Sequence, residues 1–217
     1  MDAKRGIKNI AYGLLSQIVT ILISLVVPRL VLVNLGSEIN GLTHSITSVF
    51  TYLSLLEAGV GKATNQALYQ PLAARDTSAI NRIMAATNIY YRRTGIMYAG
   101  ILVLFALVYS LLVDTSIPFW VVFSVIILTG ASSVVSYFVQ GKYRVLMEAE
   151  GRGYVLTNIN SIYSIVVAIA KIALLLLGFG IVEIQGMYFF FSLLSMVVIV
   201  VCVHRWYRWL DLKVAPD

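Results

Sequence analysis

Three ionisable side chains interrupt runs that are otherwise apolar: Arg29 directly after Pro28, Glu57 within "SLLEAGVGKATNQAL", and Lys171 within "IYSIVVAIAKIALLLLG". A central charge on a membrane-spanning helix costs about 2.5 to 3.5 kcal/mol on insertion scales, so such residues usually face a wet cavity or a partner. The chemistry they offer is capture. A guanidinium grips a phosphate through two parallel hydrogen bonds and an ammonium holds it as a point charge. A carboxylate such as Glu57, with Asn65 on the same helix face, suits a proton or a small cation.

Polar neighbours align with these charges. At about 100° per residue, Thr157, Asn160, Ser161, Ser164 and Lys171 share one side of their helix. Thr43, Thr47, Thr51, Ser54, Glu57, Gly61 and Asn65 share one side of another, opposite Ile46, Val49, Leu53, Leu56 and Val60. Asn9, Gly13, Ser16, Gln17, Thr20 and Ser24 form a third stripe, and Thr129, Ser133, Ser136 and Gln140 a fourth, which carries no charge. For that last stripe, close helix packing is the expected use of its small and hydroxyl residues. The candidates for lining a cavity are therefore Arg29, Lys171, Asn160, Ser164, Thr47 and Thr51, and those for coupling H+ or Na+ are Glu57 and Asn65. Snorkelling to the headgroups is the competing use of Arg29, and pairing with Lys62 that of Glu57.

The elements that must position these residues follow from composition. The 217 residues are 59% hydrophobic and only 12% charged, with a mean hydropathy of +0.88, against roughly 45 to 50% apolar content in soluble domains. A helix needs about 20 residues to cross the hydrocarbon. Runs of that scale predict an all-α polytopic membrane protein with six spans, at 10–33, 42–62, 95–113, 117–139, 155–178 and 184–203. They are continuous, without the strict alternation over about ten residues that a barrel strand shows. The third and sixth spans have the weakest polar stripes and are expected to face lipid. Residues 1–9 read as an amphipathic amino terminus and 204–217 as the start of a linker. Between the fourth and fifth spans, "GKYRVLMEAEGRG" reads as an interfacial segment.

Every Lys and Arg except Arg29 and Lys171 falls on the side of the termini, which predicts cytoplasmic termini by the positive-inside rule. The opposite connections are too short for a catalytic domain. No carboxylate cluster, histidine dyad or metal-ligand spacing appears, His44 and His204 lie at span ends, and Cys202 is the one cysteine. The expectation is a protein that is not an enzyme, without cofactor or metal, and with no nucleic-acid partner.

"PRLVLVNLGSEINGL", "SLLEAGVGKATNQALYQPLA" and "NIYYRRTG" together resemble the amino-terminal half of Wzx-type polysaccharide flippases, in the superfamily that also holds MATE drug antiporters. The resemblance covers essentially the whole chain. It implies one six-helix lobe of a MATE-like, two-lobe transporter, with the second lobe missing from this chain and a cationic central cavity between lobes. It further implies a polyprenyl-pyrophosphate-linked oligosaccharide as substrate, moved by alternating access across a bacterial cytoplasmic (inner) membrane. Arg29 and Lys171 would then hold the diphosphate, and the Asn, Ser and Thr stripes the sugar. A drug/cation antiporter is the nearest rival, though its cargo would favour acidic rather than basic intramembrane residues. A non-transporting membrane scaffold is the alternative from another class.

Overall fold

A computed structural model describes residues 3–215, with side chains for 9–52 and 61–215. Six helices follow in order: α1 Ala3–Ala74, α2 Thr77–Leu112, α3 Phe119–Val139, α4 Gly141–Ala149, α5 Gly153–Leu176 and α6 Ile181–Trp206. Five of them are long and apolar enough to cross a membrane, all but the short α4. The chain is thus an all-α, multi-span membrane protein.

The first helix stands where two spans were expected. Its one non-helical residue is Gly36, with φ 88° and ψ 170°, a region open essentially to glycine alone. Contacts on either side of Gly36 give the direction of each leg. Asn9 bonds to the α4–α5 junction, whereas Val31 packs with Leu175 and Ile184 at the far ends of α5 and α6. Beyond the break, Glu38 meets Thr115 and Ser116 of the α2–α3 turn, and Leu68 returns to pack with Leu146 and Met147 of α4. The chain therefore doubles back at Gly36. The connection expected over 34–41 shrinks to one residue, and the second leg continues past 62 to Ala74.

α2 also exceeds its expected span of 95–113. Its 36 residues extend about 54 Å at about 1.5 Å per residue, beyond the ~30 Å hydrocarbon layer. The added turns bury Ile80, Met84, Ala85 and Thr87, which hold them on the rest of the bundle. Asp76 starts the helix by accepting from the Ala79 N–H at 3.0 Å, a cap that satisfies one of the first-turn donors.

The carboxyl ends of three helices satisfy carbonyls of their own last turn. α1, α4 and α5 all close with paired bonds back to the last turn: Asp76 N to the Pro71 carbonyl and Arg75 N to Leu72, Arg152 N to Met147 and Gly151 N to Glu148, Phe179 N to Leu174 and Gly178 N to Leu175. This motif needs a left-handed residue, ordinarily glycine. Arg75 takes that place at the end of α1 with φ 57°. The start of α5 has no side-chain cap of its own. Asn9 supplies one from α1, its Oδ1 accepting from the Tyr154 N–H at 2.6 Å while its Nδ2 donates to the Gly151 carbonyl at 3.3 Å.

Three apolar clusters fill the interior. One lies at the α4 end and includes Leu68, Tyr91, Tyr98, Leu146, Met147, Ile199 and Val203. A second, at the opposite end, joins Leu42, Ile46, Leu102, Val122, Ile126 and Ile181, and a third joins Val27, Val31, Ala168, Leu175 and Ile184. The segment "GKYRVLMEA" forms α4 and packs against the other helices, burying Tyr143, Val145, Leu146, Met147 and Ala149. Large side chains exposed around the periphery, such as Leu14, Leu25, Leu104, Leu112, Ile169 and Leu176, are those a lipid environment would cover.

Candidate functional site

The stripes of α3 and α5 meet, with residues from the other helices, around a cavity of about 460 Å³. Ser132, Ser133, Ser136 and Gln140 come from α3 and its end, Asn160 and Tyr163 from α5, and Ser192, Ser195 and Met196 from α6. α4 closes the lower side with Arg144 and Glu148, while Gly61 of α1 and Tyr91 of α2 complete the wall. All these positions except Ser192, next to the middle of α6, lie in the α4-side half of their helices, so the cavity belongs to the α4 half of the bundle.

Unsatisfied polar groups give the cavity its character. Gln140 donates to Ser136 Oγ at 2.7 Å, yet its own Oε1 is buried without a partner. Asn65 reaches Glu148 at 3.5 Å, the limit of a hydrogen bond, and its Oδ1 is likewise buried and unpaired. Buried acceptors of this kind call for water or a ligand. Donors are present too. Ser132, Ser192 and Ser195 donate to carbonyls of their own helices, whereas the Arg144 guanidinium, the Ser133 hydroxyl, the Asn160 amide and the Tyr163 phenol have no side-chain hydrogen bond among the described residues. Arg144, the Glu148 carboxylate and three neutral donors line a space of this size, a mixed set that suits a hydroxyl-rich ligand or one whose anionic part lies against Arg144, since ligand pockets commonly run from about 300 to 1,000 Å³.

The residues singled out in the sequence are distributed over three places. Asn160 lines the cavity, Asn65 touches its wall through Glu148, and Ser164 is half-buried one turn from Asn160. Lys171 lies outside it. That residue is 7% exposed, with its ammonium 5.3 Å from the centre of the Tyr188 ring, a cation–π distance. Arg29, Thr47 and Thr51 are exposed on α1. The hydroxyls of Thr47 and Thr51 donate to the carbonyls of Thr43 and Thr47, at 2.8 and 2.9 Å. Such back-bonding satisfies a hydroxyl within its own helix, so a threonine stripe does not by itself require a wet cavity. The side chain of Glu57 lies outside the described residues.

Arg144, Tyr163, Ser192 and Ser195 were not anticipated. Arg144 read as one more basic residue of a cytoplasmic loop, and only the docking of α4 brings it to the cavity. Ser192 and Ser195 belong to the span expected to face lipid, although their i, i+3 spacing puts both on one helix face. The α3 serines, expected to serve packing, line the open space instead. Comparison of the chain with protein-family models, curated proteins and solved structures returned no match. The class that fold and cavity define is an α-helical, multi-span membrane protein with a polar chamber, consistent with transport.

Proposed function

We propose that this protein is a flippase that moves a polyprenyl-pyrophosphate-linked oligosaccharide across a bacterial cytoplasmic membrane for surface polysaccharide synthesis. The observation that carries the reading is the half-buried guanidinium of Arg144, without an acceptor among the described residues, in a polar cavity inside an otherwise apolar bundle. A pyrophosphate headgroup with attached sugars cannot pass hydrocarbon unaided. A chamber with one cation, one carboxylate and several neutral donors lowers that barrier by replacing part of the water shell. Arg144 would hold the diphosphate through charge-assisted, bidentate hydrogen bonds, while Ser133, Asn160 and Tyr163 would meet the remaining phosphate oxygens and the first sugar. A second lobe, of the kind the sequence resemblance implies, would cover the exposed polar side chains of α1, including Arg29, Thr47 and Thr51, and rock against this one to expose the chamber alternately to each side. Glu57 and Asn65 would supply the coupling site for H+ or Na+.

The test is headgroup translocation in vesicles, with fluorescent polyprenyl-pyrophosphate oligosaccharide and the protein reconstituted together with any second half it requires. Arg144→Gln is expected to slow translocation at least tenfold, and Arg144→Lys to restore part of it. Wild-type rates in Arg144→Gln would overturn the assignment of the diphosphate to this cavity.

A further inference from the structure

Two cations from different helices are brought together beside the start of α4: Arg92 of α2 and Lys142 of α4. The Lys142 ammonium donates to Asn88 Oδ1 at 2.6 Å and to the Phe138 carbonyl at 3.4 Å, which occupies two of its three N–H bonds. Arg92 lies one turn beyond Asn88 on the same face of α2, near enough for its charge to act on that ammonium. Its guanidinium is exposed and has no acceptor among the described residues. Neither cation forms an ion pair with a carboxylate there. Like charges held close without an acid between them repel, so the protein alone leaves this cluster short of an anion.

The direction in which the pair faces narrows what supplies that anion. One turn to either side of Arg92 on α2 stand Ile89 and Ile96, 42% and 65% exposed, so these three residues form an outer, apolar-flanked stripe. The adjacent Tyr91 points the other way, buried and lining the polar cavity, whereas neither Arg92 nor Lys142 lines it. Lys142 follows the end of α3 at Val139 by three residues, at the level where a spanning helix leaves the hydrocarbon. The pair therefore belongs to the lipid-facing surface, at the height of the phosphates.

We propose that Arg92, Lys142 and Asn88 bind the phosphate of an anionic phospholipid in the leaflet at the α4 end of the bundle. Arg92 grips two phosphate oxygens, the remaining N–H of Lys142 and the Asn88 amide donate to the others, and the acyl chains run past Ile96 toward the bilayer centre. Charge complementarity selects the occupant. A phosphate between the cations turns one repulsion into two attractions, and an anionic lipid does this without the ammonium that a zwitterionic lipid would bring beside them. The bound lipid ties α2 to α4, the helix that places Arg144 and Glu148 at the cavity. This site is independent of what the cavity carries and does not rest on the flippase reading.

Thermal unfolding of the full, delipidated chain in neutral detergent tests this, with phosphatidylglycerol, phosphatidylcholine or inorganic phosphate added. Phosphatidylglycerol is expected to raise the wild-type midpoint by about 2 to 4 °C, as a ligand in moderate excess over its dissociation constant does for a chain of this length. Phosphatidylcholine and inorganic phosphate are expected to leave it unchanged. Arg92→Gln is expected to unfold no earlier than wild type in detergent alone, because the repulsion on Lys142 is gone, and to lose the phosphatidylglycerol shift. Arg93→Gln removes an exposed charge next to the pair and is expected to keep that shift. Equal losses in the two variants would reduce the effect to general attraction of basic residues to an anionic surface and overturn the site. An equal shift with phosphatidylcholine, or with inorganic phosphate, would overturn the choice of occupant. Lower stability of Arg92→Gln in detergent alone would also refute the proposal, since it would give Arg92 a stabilising partner within the protein.

Discussion

Arg144, Lys171 and Lys142 are three cations with three different environments, and the differences decide what each can do. Arg144 faces the cavity with no protein acceptor among the described residues, which leaves its full hydrogen-bonding capacity for a ligand. Lys171 is nearly enclosed and rests against Tyr188. A cation–π contact returns about 2 kcal/mol when desolvated, against an insertion cost of about 2.5 to 3.5 kcal/mol for a central lysine. Lys171→Met is therefore expected to raise stability by about 1 kcal/mol, read as a higher unfolding midpoint in detergent, with headgroup binding unchanged. A loss of binding in that variant would return Lys171 to the site. Lys142, in α4, donates to Asn88 Oδ1 at 2.6 Å. Burial first, and the charge of Arg92 second, hold its pKa below the ordinary lysine value. The folded state thus binds this proton less readily than the unfolded chain, so its contribution to stability rises with pH between the lowered value and about 10.4. Asn88→Ala removes the acceptor that stabilises the charged form. It is expected to cost about 1 to 3 kcal/mol at neutral pH, and less as the pH approaches 10, as denaturation at the two pH values would show.

At the scale of elements, Gly36 has the largest consequence for its size. It converts one helical stretch into two antiparallel legs, and the reversal brings Glu38 to the α2–α3 turn, where its carboxylate accepts from the Thr115 hydroxyl and from both the N–H and the hydroxyl of Ser116. Among the described residues nothing lies within 4 Å of where a Cβ on Gly36 would sit. Steric room is therefore not the constraint, and the backbone angle is. Gly36→Ala is expected to destabilise the protein by about 1 to 3 kcal/mol through that angle alone, measured by thermal unfolding. A neutral result would mean that the reversal tolerates an ordinary residue. The docking of α4 is the second decision at this scale. Burying Leu146 and Met147 completely contributes about 1.5 to 3 kcal/mol per side chain, enough to hold a nine-residue helix against the bundle. That packing places Arg144 and Glu148 at the cavity.

For the whole molecule, the cavity, the described ends of the chain and the described basic residues other than Arg29 and Lys171 share one end of the bundle, and cytoplasmic termini would put the chamber in the cytoplasmic half. In cells expressing the protein with Cys202 replaced by serine, Thr115→Cys is expected to react with a membrane-impermeant thiol reagent applied from outside, and Arg205→Cys only after permeabilisation. The opposite pattern would invert the topology. The amino-acid sequence alone determined that this is an all-helical membrane protein, because hydropathy and backbone hydrogen bonding are local demands that each span must meet from its own residues. It also showed that α3 and α5 have polar sides, since helical periodicity converts spacing into a face. Tertiary structure decided which of those faces meet. Asn160 joins the α3 serines and Arg144, while Lys171, about three turns further along the same helix, packs beside Tyr188. No periodicity encodes that division, because it depends on how six elements cross and on where a short helix between two spans finds apolar surface to bury.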